Sequence, residues 1–179
     1  LPAGLIPGLG SYPTMPEFTI SVNGIKKMLT TLKPHKAAGP DKIRPLVLKE
    51  LREAVAPILQ LIYTRSLDTG ELPKAWKTAN VVPIFRKGSK HLPVNYRPVS
   101  LTCICCKVME HILVSQIARH LESHHILNSN QHGFRKGLSC ETQLIEFVQE
   151  LHSNTSKGRQ VDAIVIDFNK AFDKVAHNR

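Results

Sequence analysis

No acidic side chain stands between Glu71 and Glu110, although the sequence carries fourteen Asp and Glu elsewhere. The same stretch, Leu72 to Met109, holds Lys74, Lys77, Arg86, Lys87, Lys90, Arg97 and Lys107. That absence excludes a charge-balanced surface there and marks a footprint for a polyanion, nucleic acid or nucleotide phosphate. A solvated basic face is the plain alternative. Long apolar runs are also missing: none approaches the roughly 20 residues that cross a bilayer, which excludes a membrane-spanning helix. Cysteine is scarce, with Cys103, Cys105, Cys106 and Cys140 alone. Three of them fall within four positions, too close for disulfide geometry among themselves. Reduced thiols in an intracellular protein are the expectation. The chain opens on Leu1, and "LPAGLIPGLGSYPTMP" lacks the basic start of a signal peptide. A piece of a longer chain is expected. No internal repeat or low-complexity tract occurs.

What is present suffices for a core. The apolar fraction is 42% and the charged fraction 21%, which argues against disorder across the whole chain. At 179 residues the chain is sized for one domain, or one and part of another. Lys and Arg exceed Asp and Glu by ten, 24 against 14.

The first twenty residues, rich in Gly and Pro, read as a loosely held lead-in. Val22, Ile25, Met28, Leu29 and Leu32 recur at helical spacing behind Ser21, a cap residue, and predict a short amphipathic helix. "KPHKAAGPDKIRP" interrupts that pattern. An apolar-periodic segment follows from Pro45 to about Leu67, with a kink or break expected at Pro57 and a stop at Gly70. "ANVVPIF" and "YRPVSL" are strand candidates that pair as a hairpin across the polar, basic "RKGSKHLPVN". Val108, Ile112, Leu113, Ile117 and Leu121 place a helix from near Lys107 to His120. "SNQHGFRKGLSC" reads as loop, "ETQLIEFVQELHSN" as helix and residues 161–166 as a strand.

That last strand ends on a carboxylate. The unbroken apolar run Ala163 to Ile166 implies a strand covered on both faces, and Asp167 follows at its carboxyl end, where open sheets present ligand groups. A helix N-cap is the alternative role for Asp167. A two-metal site needs carboxylates bridging cations roughly 3.5–4 Å apart. Asp162, five residues back, is about 16 Å away on strand spacing and faces the other side. Asp173, six residues on, falls off the same face of a helix. A partner acid must come from elsewhere. Aspartyl-phosphate chemistry would favour an acid at the position of Asn169. Cys103-x2-Cys106 with His120-x3-His124 nearly fits a two-Cys, two-His zinc spacing, but one continuous helix occupies the segment between; small packing cysteines are the alternative. A hairpin with Arg86 and Lys87 on one arm and Arg97 on the other can clamp a triphosphate, or simply present exposed loop charge.

Five stretches, "KAAGPDKI", "LPKAWKTANVVPIFRKG", "NYRPVSLTCICCKVMEHIL", "QHGFRKGLSCETQL" and "IVIDFNKAFDKVAH", together resemble the ordered blocks of non-LTR (LINE-type) retrotransposon reverse transcriptases. The resemblance covers about Lys36 to His177. It implies an α+β chain: right-hand polymerase fingers with an N-terminal helical extension and the first strand of the palm, truncated. The implied divisions are 1–20 lead-in, 21–78 helical extension, 79–159 fingers and 160–179 start of the palm. It further implies RNA-directed DNA synthesis with Mg²⁺, an RNA template, a DNA primer and deoxynucleoside triphosphates, and no membrane. Asp167 takes the place of the first metal-binding aspartate, and the backbone carbonyl of Phe168 helps hold a metal. Phe172 matches the steric gate against a ribose 2′-hydroxyl. Lys87 and Arg97 match fingers residues that neutralise the incoming triphosphate, and Arg135 belongs to the next fingers block, for phosphate or template contact. Cys140 departs from the family, which often has a hydroxyl residue there. The later palm motifs, including a paired-aspartate turn, are expected beyond Arg179, so the isolated chain is expected not to polymerise. A non-catalytic basic nucleic-acid-binding module is the competing expectation.

Overall fold

A computed structural model describes residues 12–168, 171 and 174–176. The chain divides into two compact units, Leu1–Ile126 and Leu127–Arg179.

The first unit begins with α1 (Val22–Thr30), whose first turn is closed by Ser21: its Oγ accepts from the Gly24 amide at 3.0 Å. Of the lead-in, residues 1–11 lie outside the described residues; 12–20 carry no helix or strand, and Ile20 is buried in the core. Next come α2 (Pro45–Glu50) and α3 (Arg52–Thr69). The break expected at Pro57 falls at Leu51 instead, and α3 runs through the proline unbroken. Pro57 lies exposed, as does Glu53, whose carbonyl it deprives of a donor, so water can serve that oxygen. Ala56 and Leu59, beside it in sequence, are buried and hold the helix to the core. The stop at Gly70 is as expected: Gly70 takes the left-handed conformation, φ 68°.

Two strands, β1 (Asn80–Phe85) and β2 (Tyr96–Leu101), form an antiparallel pair, as the hairpin reading required. The chain then enters α4 (Ile104–Ser123), which starts three residues before the expected Lys107 and so takes Cys105 and Cys106 into its first turn. The core gathers Ile25 and Leu29 of α1, Leu48 of α2, Ala56, Leu59 and Tyr63 of α3, and Cys103 to Met109 except Lys107. Trp76 meets Tyr63 edge-on, ring centroids 5.7 Å apart. The loop "KAAGP" seats against the entry to α4: a Cβ on Gly39 would stand 2.6 Å from both Cα and N of Cys103.

The second unit contains α5 (Cys140–Thr155), opened by a capping box in which Ser139 and Thr142 satisfy each other's amides. The strand expected over 161–166 is not there. Residues 161–168 carry neither strand nor helix, and Ile164, Val165 and Ile166 are 87%, 92% and 77% exposed. A strand exists only through a ladder with a neighbour, and among the described residues β1 and β2 pair only with each other. The described residues are thus mixed: helices with one small antiparallel sheet.

Candidate nucleic-acid and nucleotide site

The β1–β2 ribbon carries the basic cluster. Its register pairs Phe85 with Tyr96, Ile84 with Arg97 and Pro83 with Pro98. The Arg86 amide donates to the Asn95 carbonyl at 2.9 Å. Directly opposed pairs in such a ladder alternate between bonded and non-bonded, so 86–95 and 84–97 are bonded sites and 83–98 is not. Both prolines therefore sit where no cross-strand amide is needed. Their missing N–H groups fall on the two outer edges of the ribbon, where they oppose pairing with a further strand.

The turn beyond the ladder is tied down by its own polar groups. Asn95 Nδ2 donates to the Ser89 carbonyl at 2.8 Å, and the Tyr96 hydroxyl donates to the Lys90 carbonyl at 2.9 Å. Gly88, at φ 87°, supplies the left-handed residue that the turn requires. Phe85 and Tyr96 meet edge-to-face at 5.5 Å, and Lys90 Nζ stands 5.8 Å from the Phe85 ring centre. Arg86, Lys87, Lys90 and Arg97 are all exposed, and none has an ion-pair partner among the described residues. Arg97 lies on β2 opposite Ile84, and Lys87 stands two residues beyond the end of β1, in the turn.

The remaining sequence-predicted residues belong to the second unit or fall outside the described residues. Arg135 is half-buried and works within its own loop: its Nη1 donates to the carbonyls of Asn128 and Gln131 at 2.9 and 3.3 Å. Asp167 is exposed and makes no hydrogen bond or ion pair among the described residues, and Phe168 is 77% exposed. Phe172, expected to gate the sugar, lies outside the described residues, as does Asp173. The carboxylate of Asp167 and the carbonyl of Phe168 are hard oxygen donors of the kind Mg²⁺ takes. Among the described residues, however, no group of three or more His, Cys, Asp or Glu converges on a metal position. The donor class fits Mg²⁺, and the set is one carboxylate.

Cys103, Cys105 and Cys106 belong to the core, whereas Cys140 is exposed. Burial pushes the Cys105 thiol up to about 11, and burial together with Glu110 pushes Cys106 up to about 12. Cys103 is raised for the same reason, chiefly burial. The fourteen helical steps from Cys106 to His120 amount to about 21 Å at 1.5 Å per residue. One tetrahedral zinc cannot reach both ends.

One residue escaped the sequence reading. His132, 4% exposed, has its Nδ1 2.7 Å from Thr142 Oγ1 and its Nε2 3.0 Å from Glu146 Oε2. Thr142 and Glu146 are four apart on α5, and this spacing, with a His in the preceding loop, was the available signal. The histidine pins the loop "QHGF" to the first turns of α5.

A family model described as reverse transcriptase (RNA-dependent DNA polymerase) matches residues 84–179. The chain is 29% identical over 166 residues to the probable RNA-directed DNA polymerase from transposon BS of Drosophila melanogaster, covering 92% of this chain and 18% of that protein. It is 29% identical over 164 residues to the RNA-directed DNA polymerase from mobile element jockey of Drosophila funebris, with 91% and 18% covered. Against the probable RNA-directed DNA polymerase from transposon X-element of Drosophila melanogaster it is 26% identical over 154 residues, with 86% and 17% covered. The chain therefore spans less than a fifth of the length of these relatives.

Proposed function

Since the chain belongs to the reverse transcriptase (RNA-dependent DNA polymerase) family, in its non-LTR retrotransposon branch, we propose that it supplies the fingers and the first palm segment of a retrotransposon RNA-directed DNA polymerase. The observation that carries this reading is the exposed, acid-free ribbon of Arg86, Lys87, Lys90 and Arg97, inside the region that matches the family. Lys87 and Arg97 neutralise the triphosphate of an incoming deoxynucleotide, Arg97 as a fork and Lys87 as a point charge. Lys90 and Arg86 extend the positive field toward the phosphates of a template or primer. Arg135 shapes its loop through the two carbonyls it bonds, and its part in nucleic-acid contact is indirect. Phe172 crowds a 2′-hydroxyl and so favours deoxynucleotides. Asp167, with the Phe168 carbonyl, would hold Mg²⁺. When bound, that ion supplies electrostatic stabilisation to a transferring phosphoryl group. The setting is intracellular.

On its own the 179-residue chain binds without polymerising. In-line nucleotidyl transfer needs carboxylates shared between two cations roughly 3.5–4 Å apart, and Asp167 has no such neighbour among the described residues. Primer extension on an RNA template with the purified chain and its Asp167→Ala variant tests this. No incorporation by either is expected; incorporation that depends on Asp167 overturns it. A reading as a binding module alone is favoured by the same unpaired cations, and the two differ only in what the chain does inside a longer polymerase. Whether polymerisation appears when this segment is joined to a palm segment carrying further carboxylates separates them.

A further inference from the structure

Two histidines at the end of α4 take part in nothing described so far. His120 and His124 stand four residues apart, the spacing that stacks side chains on one helix face. Their ring centroids are 4.6 Å apart with planes at 59°. Nδ1 of His120 is buried with no hydrogen-bond partner, alone in this among the buried side-chain polar atoms of the described residues. Buried polar atoms are ordinarily satisfied, and one that is not calls for an explanation such as an ion. The pair also sits at the C-terminal end of α4, His124 being its C-cap, where the helix dipole favours a cation.

We propose that His120 and His124 form a two-imidazole site for a borderline divalent transition-metal cation of the zinc type. Imidazole suits Zn²⁺, Cu²⁺ and Ni²⁺, whereas Mg²⁺ prefers oxygen. The site is therefore chemically distinct from the carboxylate of Asp167. Closing the site on an ion requires each ring to turn so that one nitrogen of either residue lies at the roughly 2.0–2.1 Å of a Zn–N bond. Two protein ligands leave two tetrahedral positions for water or an oxygen donor, so the site is open, not a structural closure. The chain's net charge of +10 opposes a cation only weakly here, because exposed charges beyond about 8 Å are screened at physiological salt. The cysteines play no part, since the helix holds them about 21 Å away.

Calorimetric titration of the whole chain with Zn²⁺ at neutral pH tests the site, alongside His124→Gln and Cys140→Ser. His124 is exposed, so its replacement leaves the fold intact, checked by equal helicity in circular dichroism. The expected result is one saturable Zn²⁺ per chain, weakened at least about tenfold by His124→Gln, as loss of one of two ligands demands, and unchanged by Cys140→Ser. His120→Gln should reproduce the loss. Uptake of no Zn²⁺ by the wild-type chain overturns the proposal. So does equal uptake by His124→Gln.

Discussion

Tyr63 of α3 donates its phenolic hydrogen to the carbonyl oxygen of Cys105, in the first turn of α4, across 42 residues of sequence at 2.7 Å. The side chain is fully buried, and burial pushes its phenol far above the usual range, so it remains a donor at any pH the fold survives. This bond joins α3 to the helix that follows the basic ribbon, while the Trp76 edge contact packs the segment before the ribbon against the same tyrosine. Tyr63→Phe should keep the packing and lose the one bond, at a cost of about 1 kcal/mol. Tyr63→Ala should cost about 3–5 kcal/mol, as for other buried aromatics. Urea unfolding followed by Trp76 fluorescence measures both.

Gly39 has no room for a side chain. Its would-be Cβ meets backbone atoms of Cys103 at 2.6 Å, and backbone at a helix entry cannot yield as a flexible side chain can. Gly39→Ala should therefore destabilise the first unit by about 1–3 kcal/mol or more. A lowered urea midpoint with an unchanged slope would report it; an unaltered midpoint would mean that the loop "KAAGP" stands off from α4.

The buried thiols set a pH limit on stability. In the fold Cys105 and Cys106 hold their protons up to about 11 and about 12, whereas an unfolded thiol gives its proton up near 8.5. Between those values the unfolded chain binds fewer protons than the folded one, so stability falls as pH rises. It should be flat below about pH 8 and decline steadily above about 9. Unfolding midpoints taken from pH 7 to 10.5 check the sign. In the native chain at pH 8, a thiol reagent should label the exposed Cys140 rapidly and the other three only on unfolding.

The unpaired cations of the ribbon should govern binding to nucleic acid. Lys87→Ala and Arg97→Ala should each weaken binding of single-stranded RNA. Each should also reduce the slope of log affinity against log salt by about 0.7, the value for one fewer phosphate neutralised on a single strand. Fluorescence anisotropy between low and physiological salt measures both quantities. An unchanged slope in the double variant would remove the ribbon from the interface.

Local patterns were readable wherever the deciding interactions are local. The Ser21 cap, the helical spacing of Ile25 and Leu29, and the glycine at position 70 lie within a turn of the structure they specify. The hairpin was readable because its two strands flank one polar turn. Pro57 misled: a proline costs a helix less when the carbonyl it strands faces water, and exposure is a tertiary fact. The segment 161–166 misled differently. Its apolar run states a preference for a strand, but strand formation waits on a neighbour supplied from elsewhere. Of the candidate site, the residue types and their order were legible; Arg135 spending its guanidinium on its own loop was not, nor was the burial of His132.

The sequence by itself determined the family, the helix caps and stops, and the acid-free cationic stretch, because each depends on residue identity within short spans. Only the tertiary structure decided that Tyr63 would meet Cys105, that Gly39 would lie against Cys103, and that a nitrogen of His120 would be buried and left bare. Those outcomes turn on close packing between segments distant in sequence or on which face of a helix is covered. Residue order alone does not encode such distances in any readable period.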